Sequence, residues 1–161
     1  MASNWSLAQE ASVIPVQAPA TDAAGRTGSY VTLKNAHKAS LLWVIEQGNA
    51  ATIALSVNQA TNVSGASAKA LSTVRWWACI NDGSSDINVR QTDGASYTTD
   101  AGTNLKAIIA EIDPGDLDMA NGFITIAPVN GASNAANYTV CVAILTPLRY
   151  AADQPPTAIA N

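Results

Sequence analysis

The stretch from Asn104 to Ala127, NLKAIIAEIDPGDLDMANGFITIA, constrains the fold more than any other part of the chain. Lys106 to Ile112 is an apolar run of strand length, and it stops at Asp113-Pro114-Gly115. Proline cannot donate to a β-ladder and glycine adopts positive φ freely, so this triplet closes the strand in a turn. Asp116 to Met119 has room for a single helical or 3₁₀ turn, with Asp113 or Asp116 accepting the unpaired N–H groups at its start. Asn121-Gly122 then turns the chain into Phe123-Ile124-Thr125-Ile126, where two-residue alternation resumes. A chain organised in this way is built from strands and tight connections.

The remaining segments repeat the pattern. Tyr30 to Lys34 alternates. Leu41 to Ile45 is apolar on both faces, as expected of a central strand, and Gln47 to Ala50 fits a hairpin loop. Thr52 to Val57 places Ile53, Leu55 and Val57 inward, and Asn58 to Ser72 reads as a long loop. In Val74 to Ile80 the apolar face is Val74, Trp76, Ala78 and Ile80, which leaves Arg75, Trp77 and Cys79 on the other face. Ile87 and Val89 carry a short strand, and Tyr138 to Leu145 is apolar enough to be central. The count is about eight strands with no amphipathic helix, so the expected fold is all-β: an antiparallel β-sandwich, jelly-roll-like. Residues 1–28 are expected to form an extended N-terminal arm, 29–150 the sandwich, and 151–161 an extended C-terminal tail. Trp5 and the run Val13, Ile14, Val16 are where the arm would adhere, either to its own domain or to a neighbouring subunit.

Composition narrows the function. Of 161 residues, 48% are hydrophobic and only 12% charged, about half the usual charged share. A surface of Ala, Ser, Thr, Asn and Gly is cheap to desolvate and suits lasting contacts with protein. The net charge of −4, with the basic residues scattered, argues against nucleic acid, whose binding rests on Lys and Arg at phosphates. No apolar run approaches the ~20 residues of a membrane span, and MASNWSLAQEASVIPV lacks the regions of a signal peptide. Neither membrane nor nucleic acid is expected as a partner, and Cys79 and Cys141 read as two buried free thiols, a disulfide being open but without support in their spacing.

No residue set suggests catalysis. His37 is the sole histidine and stands in a polar connector, and no nucleophile, phosphate-binding or dinucleotide motif occurs. Glu111, Asp113, Asp116 and Asp118 form the one dense charge cluster, but their spacing does not match a calcium loop, and turn and cap duty accounts for them. No catalytic residue, metal or cofactor is therefore expected. Trp77, set against Trp76 on the opposite face and beside Arg75, is open to three readings: burial in the sandwich, an anchor at a subunit interface, or a stacking platform for a sugar.

The segments VIPVQAPATDAAGR and YVTLKNAHKA near the start, EIDPGDLDMANGF further on and PLRYA near the end resemble the head decoration (cement) proteins of tailed bacteriophages and prophages. The resemblance covers the general layout of most of the chain, its most specific pieces being LKNAHKA and the IDPGDLDMANGF segment. It implies a β-rich, non-enzymatic virion protein, made in the host cytoplasm and placed on the outer surface of the capsid. Its partners would be the major capsid protein and itself, as a homotrimer, stabilising contacts between capsid subunits. The interface residues expected on this reading are Trp5, Val13, Ile14, Val16, Arg75 and Trp77. A tail, connector or fibre-base component would share these features, and a carbohydrate-binding module using Trp77 and Tyr97 is the alternative from another class.

Overall fold

The computed structural model describes residues 7–81, 83, 85–148 and 157–160. After a single helical turn, α1 (Leu7–Glu10), the strands follow in order. They are β1 (Ser12–Thr21), β2 (Arg26–Thr27), β3 (Val31–Thr32), β4 (Ala36–Gln47), β5 (Ala54–Ala60), β6 (Lys69–Ala70), β7 (Arg75–Asn81), β8 (Val89–Arg90), β9 (Ser96–Thr98), β10 (Leu105–Ile112), β11 (Thr125–Asn130) and β12 (Asn137–Leu148). The first sheet has the order β1-β12-β4-β10-β7-β8. The second has the order β2-β11-β5-β6, with β3 also on β11 and β9 also on β5. Every pairing is antiparallel.

The chain alternates between the two sheets, and β1-β12-β4-β10 facing β2-β11-β5-β6 is the strand order of a jelly roll. The strands β7 and β8 extend the first sheet beyond that core order. The fold is thus the all-β antiparallel sandwich that the alternation of apolar residues requires. There are twelve strands rather than about eight because several are two-residue pairings too short to leave a periodic trace. Gln47 to Ala50 joins β4 and β5, which lie in different sheets, so it is a crossover and not a hairpin. Asn35 to Ala39 is largely strand, since β4 starts at Ala36.

Between the sheets the core is aliphatic around two tryptophans. Leu41, Trp43 and Ile45 from β4, Trp76 from β7 and Ile108 and Ile112 from β10 meet Ile53, Leu55, Val57 and Ile126 from the second sheet, all fully buried. The Trp43 and Trp76 rings lie 5.9 Å apart, and Tyr97 on β9 stacks on Trp76 from the other side at 6.0 Å. Both contacts fall within the range of favourable tilted aromatic pairs.

Polar groups close one end of this core on either side of β4. Asp22, fully buried, accepts at Oδ1 from Arg26 Nε at 3.3 Å, Asn130 Nδ2 at 3.1 Å and the Thr139 hydroxyl at 2.9 Å. On the far side Lys106 is buried with its ammonium on Gln47 Oε1 at 3.1 Å, Asp100 Oδ1 at 3.2 Å and the carbonyl of Gly102.

The described residues of the expected arm and tail lie on the sandwich itself. Residues 12–21 are the edge strand β1, paired with β12 from Ser12↔Leu145 to Thr21↔Tyr138, with bulges between Pro15 and Gln17 and between Gln17 and Ala20. Extended they are, but on their own domain: the apolar stripe of VIPV is satisfied by the core of the same chain. In the C-terminal segment the described part folds back, with the Ala158 carbonyl accepting from the Thr32 N–H at 2.8 Å and its side chain in the core.

The connector from Asp113 to Gly122 is turned as expected, but by two 3₁₀ turns on either side of Leu117-Asp118 rather than by one over Asp116 to Met119. Pro114–Asp116 and Met119–Asn121 are 3₁₀ turns, and the second ends at Gly122 with φ +81°. A non-glycine residue would be strained at that φ.

Candidate protein interface

The inner face of the first sheet is the core, so its outer face is fixed by register alone. Side chains alternate along each strand, and the pairings align them in rows across the sheet. One row reads Val13, Ile144, Ser40, Glu111, Arg75, and the next Pro15, Val142, Leu42, Ile109, Trp77, Arg90. A third reads Val140, Val44, Ala107, Cys79, and a fourth Tyr138, Glu46, Leu105, Asn81. The two middle rows hold no charge until Arg90 at the β8 edge.

Among the described residues, no second layer lies over this face. Val13, Val44, Leu105 and Tyr138 are exposed at 47, 39, 51 and 49%, and Leu42, Ile109, Ala107, Trp77, Val140, Val142 and Ile144 are half-buried. Five strands about 4.8 Å apart, with four outward rows about 6.8 Å apart, give a face of roughly 650 Å². The largest apolar patch on an ordinary monomer is about 300–600 Å² and is often functional, so this face has the size of a contact surface.

Charge is confined to the outer rows and the β8 edge, and along the first row it is paired. Arg75 reaches Asp113 at 2.8 Å and Asp116 at 3.1 Å, and Lys38 reaches Glu111 at 3.1 Å. Asp116 also accepts the Asp113 backbone N–H at 2.8 Å. Away from the face, Lys69 pairs with Asp118 at 2.5 Å while its ammonium sits 4.2 Å from the Phe123 centroid. Asp118 also accepts from Asn121. The hydrogen bond from Lys69 and then that from Asn121 hold the Asp118 carboxyl below its ordinary value. The acidic cluster is thus engaged with cations and turn N–H groups, and among the described residues no group of His, Cys, Asp or Glu is disposed to hold a metal.

The expected interface residues divide. Val13, Arg75 and Trp77 lie on the outer face. Val16 is buried in the core and Ile14 packs against it, so neither is a contact residue; the alternation that turns Val13 outward turns them inward. Trp5 lies outside the described residues. Trp77 presents its ring outward, with the Arg90 guanidinium carbon 5.4 Å from the ring centroid, and its indole N–H is buried without an acceptor. Tyr97 is on the second sheet, packed on Trp76, so Trp77 and Tyr97 do not share a platform. The paired-aromatic sugar site therefore does not assemble. Leu42, Val44, Ile109 and Val142 are the residues that sequence reasoning missed. Their signal is present as strands apolar on both faces, in a sequence with no amphipathic helix to cover the second face.

The fold and this face define the class: a jelly-roll β-sandwich with an uncovered apolar sheet. No protein-family model matches the chain, and no curated protein does. Among solved structures it is similar to the crystal structure of the SPBc2 prophage-derived protein YomS, with 11% identity, 84% of this chain and 92% of that chain covered, and a TM-score of 0.49. A likeness of that size assigns no role.

Proposed function

We propose that this chain is a non-enzymatic structural protein of a tailed-phage virion, a decoration or cement protein on the outer surface of the head. The observation that carries the reading is the apolar outer face of the first sheet, uncharged in its two middle rows up to Arg90 and bordered on one side by paired charges. A surface with an apolar centre and a polar rim is what a lasting protein contact uses. The chain residues that resemble decoration proteins supply the virion setting, with the major capsid protein and further copies of the chain as partners. A rigid sandwich repeated over a lattice holds its neighbours by many modest contacts acting together.

The test is the copy number of the chain per purified virion, by quantitative mass spectrometry against the major capsid protein. A ratio of the order of one per capsid subunit supports decoration of the head. A few copies per particle moves the chain to the tail, connector or fibre base, and absence from the particle overturns the reading.

A further inference from the structure

We propose that the outer face of the first sheet docks onto the same face of a second copy of this chain, about a two-fold axis lying across the strands. The inference rests on the reading of that face as a protein contact and names its occupant.

Size complementarity points to it. Passing from the second row to the third, β7, β10 and β4 step from a bulky residue to a smaller one, while β12 keeps valine in both rows. The steps are Trp77 to Cys79 on β7, Ile109 to Ala107 on β10 and Leu42 to Val44 on β4. A two-fold axis between these rows turns one copy end over end, so the bulky row of each copy lies on the small row of the other. That is the self-complementary pattern an isologous contact requires, and sheets stacked face to face at about 10 Å interdigitate in this way.

Area agrees. The face of roughly 650 Å² per copy falls in the lower part of the range of stable specific interfaces, about 600–1,000 Å² per partner.

The experiment is light scattering coupled to size exclusion on the full chain at about 100 μM. Alongside it run Val44→Asp, Ala107→Glu and the triple variant Leu42→Cys/Val44→Cys/Cys79→Ser. The expected mass is twice the 16.6 kDa of the chain. Either charged variant should run as a monomer with unchanged circular dichroism. A short bis-maleimide should link the triple variant into a covalent dimer, because residue 42 of one copy faces residue 44 of the other across about 10 Å, too far for a direct disulfide. A wild-type monomer or trimer, charged variants that still pair, or a triple variant that does not cross-link each overturn the pairing. Head binding by Val44→Asp separates this from the proposed function. A monomeric chain whose variant no longer binds heads overturns the pairing alone; a dimer that is absent from virions overturns the proposed function alone.

Discussion

The indole N–H of Trp43, on β4 of the first sheet, donates to Oδ1 of Asn130, on β11 of the second, at 2.9 Å. The same amide donates from Nδ2 to the Thr139 hydroxyl at 2.6 Å and to Asp22 at 3.1 Å. One buried side chain thereby satisfies donors and acceptors from two other strands and a turn. Replacing Asn130 by Ala strands the Trp43 N–H in an apolar core and removes a donor from a buried carboxylate. Such losses cost about 2–3 kcal/mol. Urea unfolding should show the midpoint falling with the slope unchanged. A midpoint within error of wild type would mean that solvent replaces the amide freely.

Arg26 is the cation of the same cluster. It contacts Asp22 at 3.3 Å and the Thr139 hydroxyl at 2.6 Å. Arg26→Met removes the charge and leaves the Asp22 carboxylate buried beside Asn130 and Thr139 alone. Removing one member of a buried pair costs about 3–5 kcal/mol, whereas replacing both with apolar groups is often neutral. The expected order of stability is therefore wild type above Arg26→Met, with Asp22→Asn/Arg26→Met recovering part of the loss. A double variant less stable than the single one would contradict the uncompensated carboxylate as the cause.

How much of this was legible in the sequence depends on what each residue's signal encodes. Alternation reports which residues share a face, so Ile53, Leu55, Val57 and the split of Trp76 from Trp77 were readable. It does not report what lies on the other side. Leu42 and Val44 read as part of a central strand apolar on both faces, which β4 is, yet among the described residues no layer lies over them. Val13, Ile14 and Val16 were read together as adhesive, and the two-residue period separates them. The Asp22, Arg26, Asn130 and Thr139 cluster joins residues more than a hundred positions apart. No local spacing announces such a cluster, because it depends on register across strands that only the folded topology sets.

Asp118 gives the fold an acid-sensitive contact. Lys69 and Asn121 keep its carboxyl ionised to lower pH than the ordinary value of 3.8. The unfolded state therefore binds the proton first, and the stability that the ionised form lends is present above that value. It is lost as pH falls from there through the native pKa. Asp118→Asn should be less stable than wild type at neutral pH, with the gap closing below about pH 4. A gap that stays constant down to pH 2 would assign the loss to side-chain geometry rather than to charge.

Cys79 and Cys141 sit on opposite faces of one sheet. Cys79 is aligned with the outward Ala107, while Cys141 is aligned with the inward Trp43 and is fully buried. Side chains that leave a sheet in opposite directions cannot be bridged, and both thiols are free. Burial pushes the Cys141 thiol well above its ordinary value, so it holds almost no thiolate at neutral pH. Iodoacetamide labelling followed by mass spectrometry should modify Cys79 in the native protein, and Cys141 only at the rate of local or global opening. The Cys79 rate should fall as protein concentration rises, since the proposed pairing covers it, and Val44→Asp should remove that dependence. Native-state labelling of Cys141 as fast as Cys79 would contradict the inward register of β12.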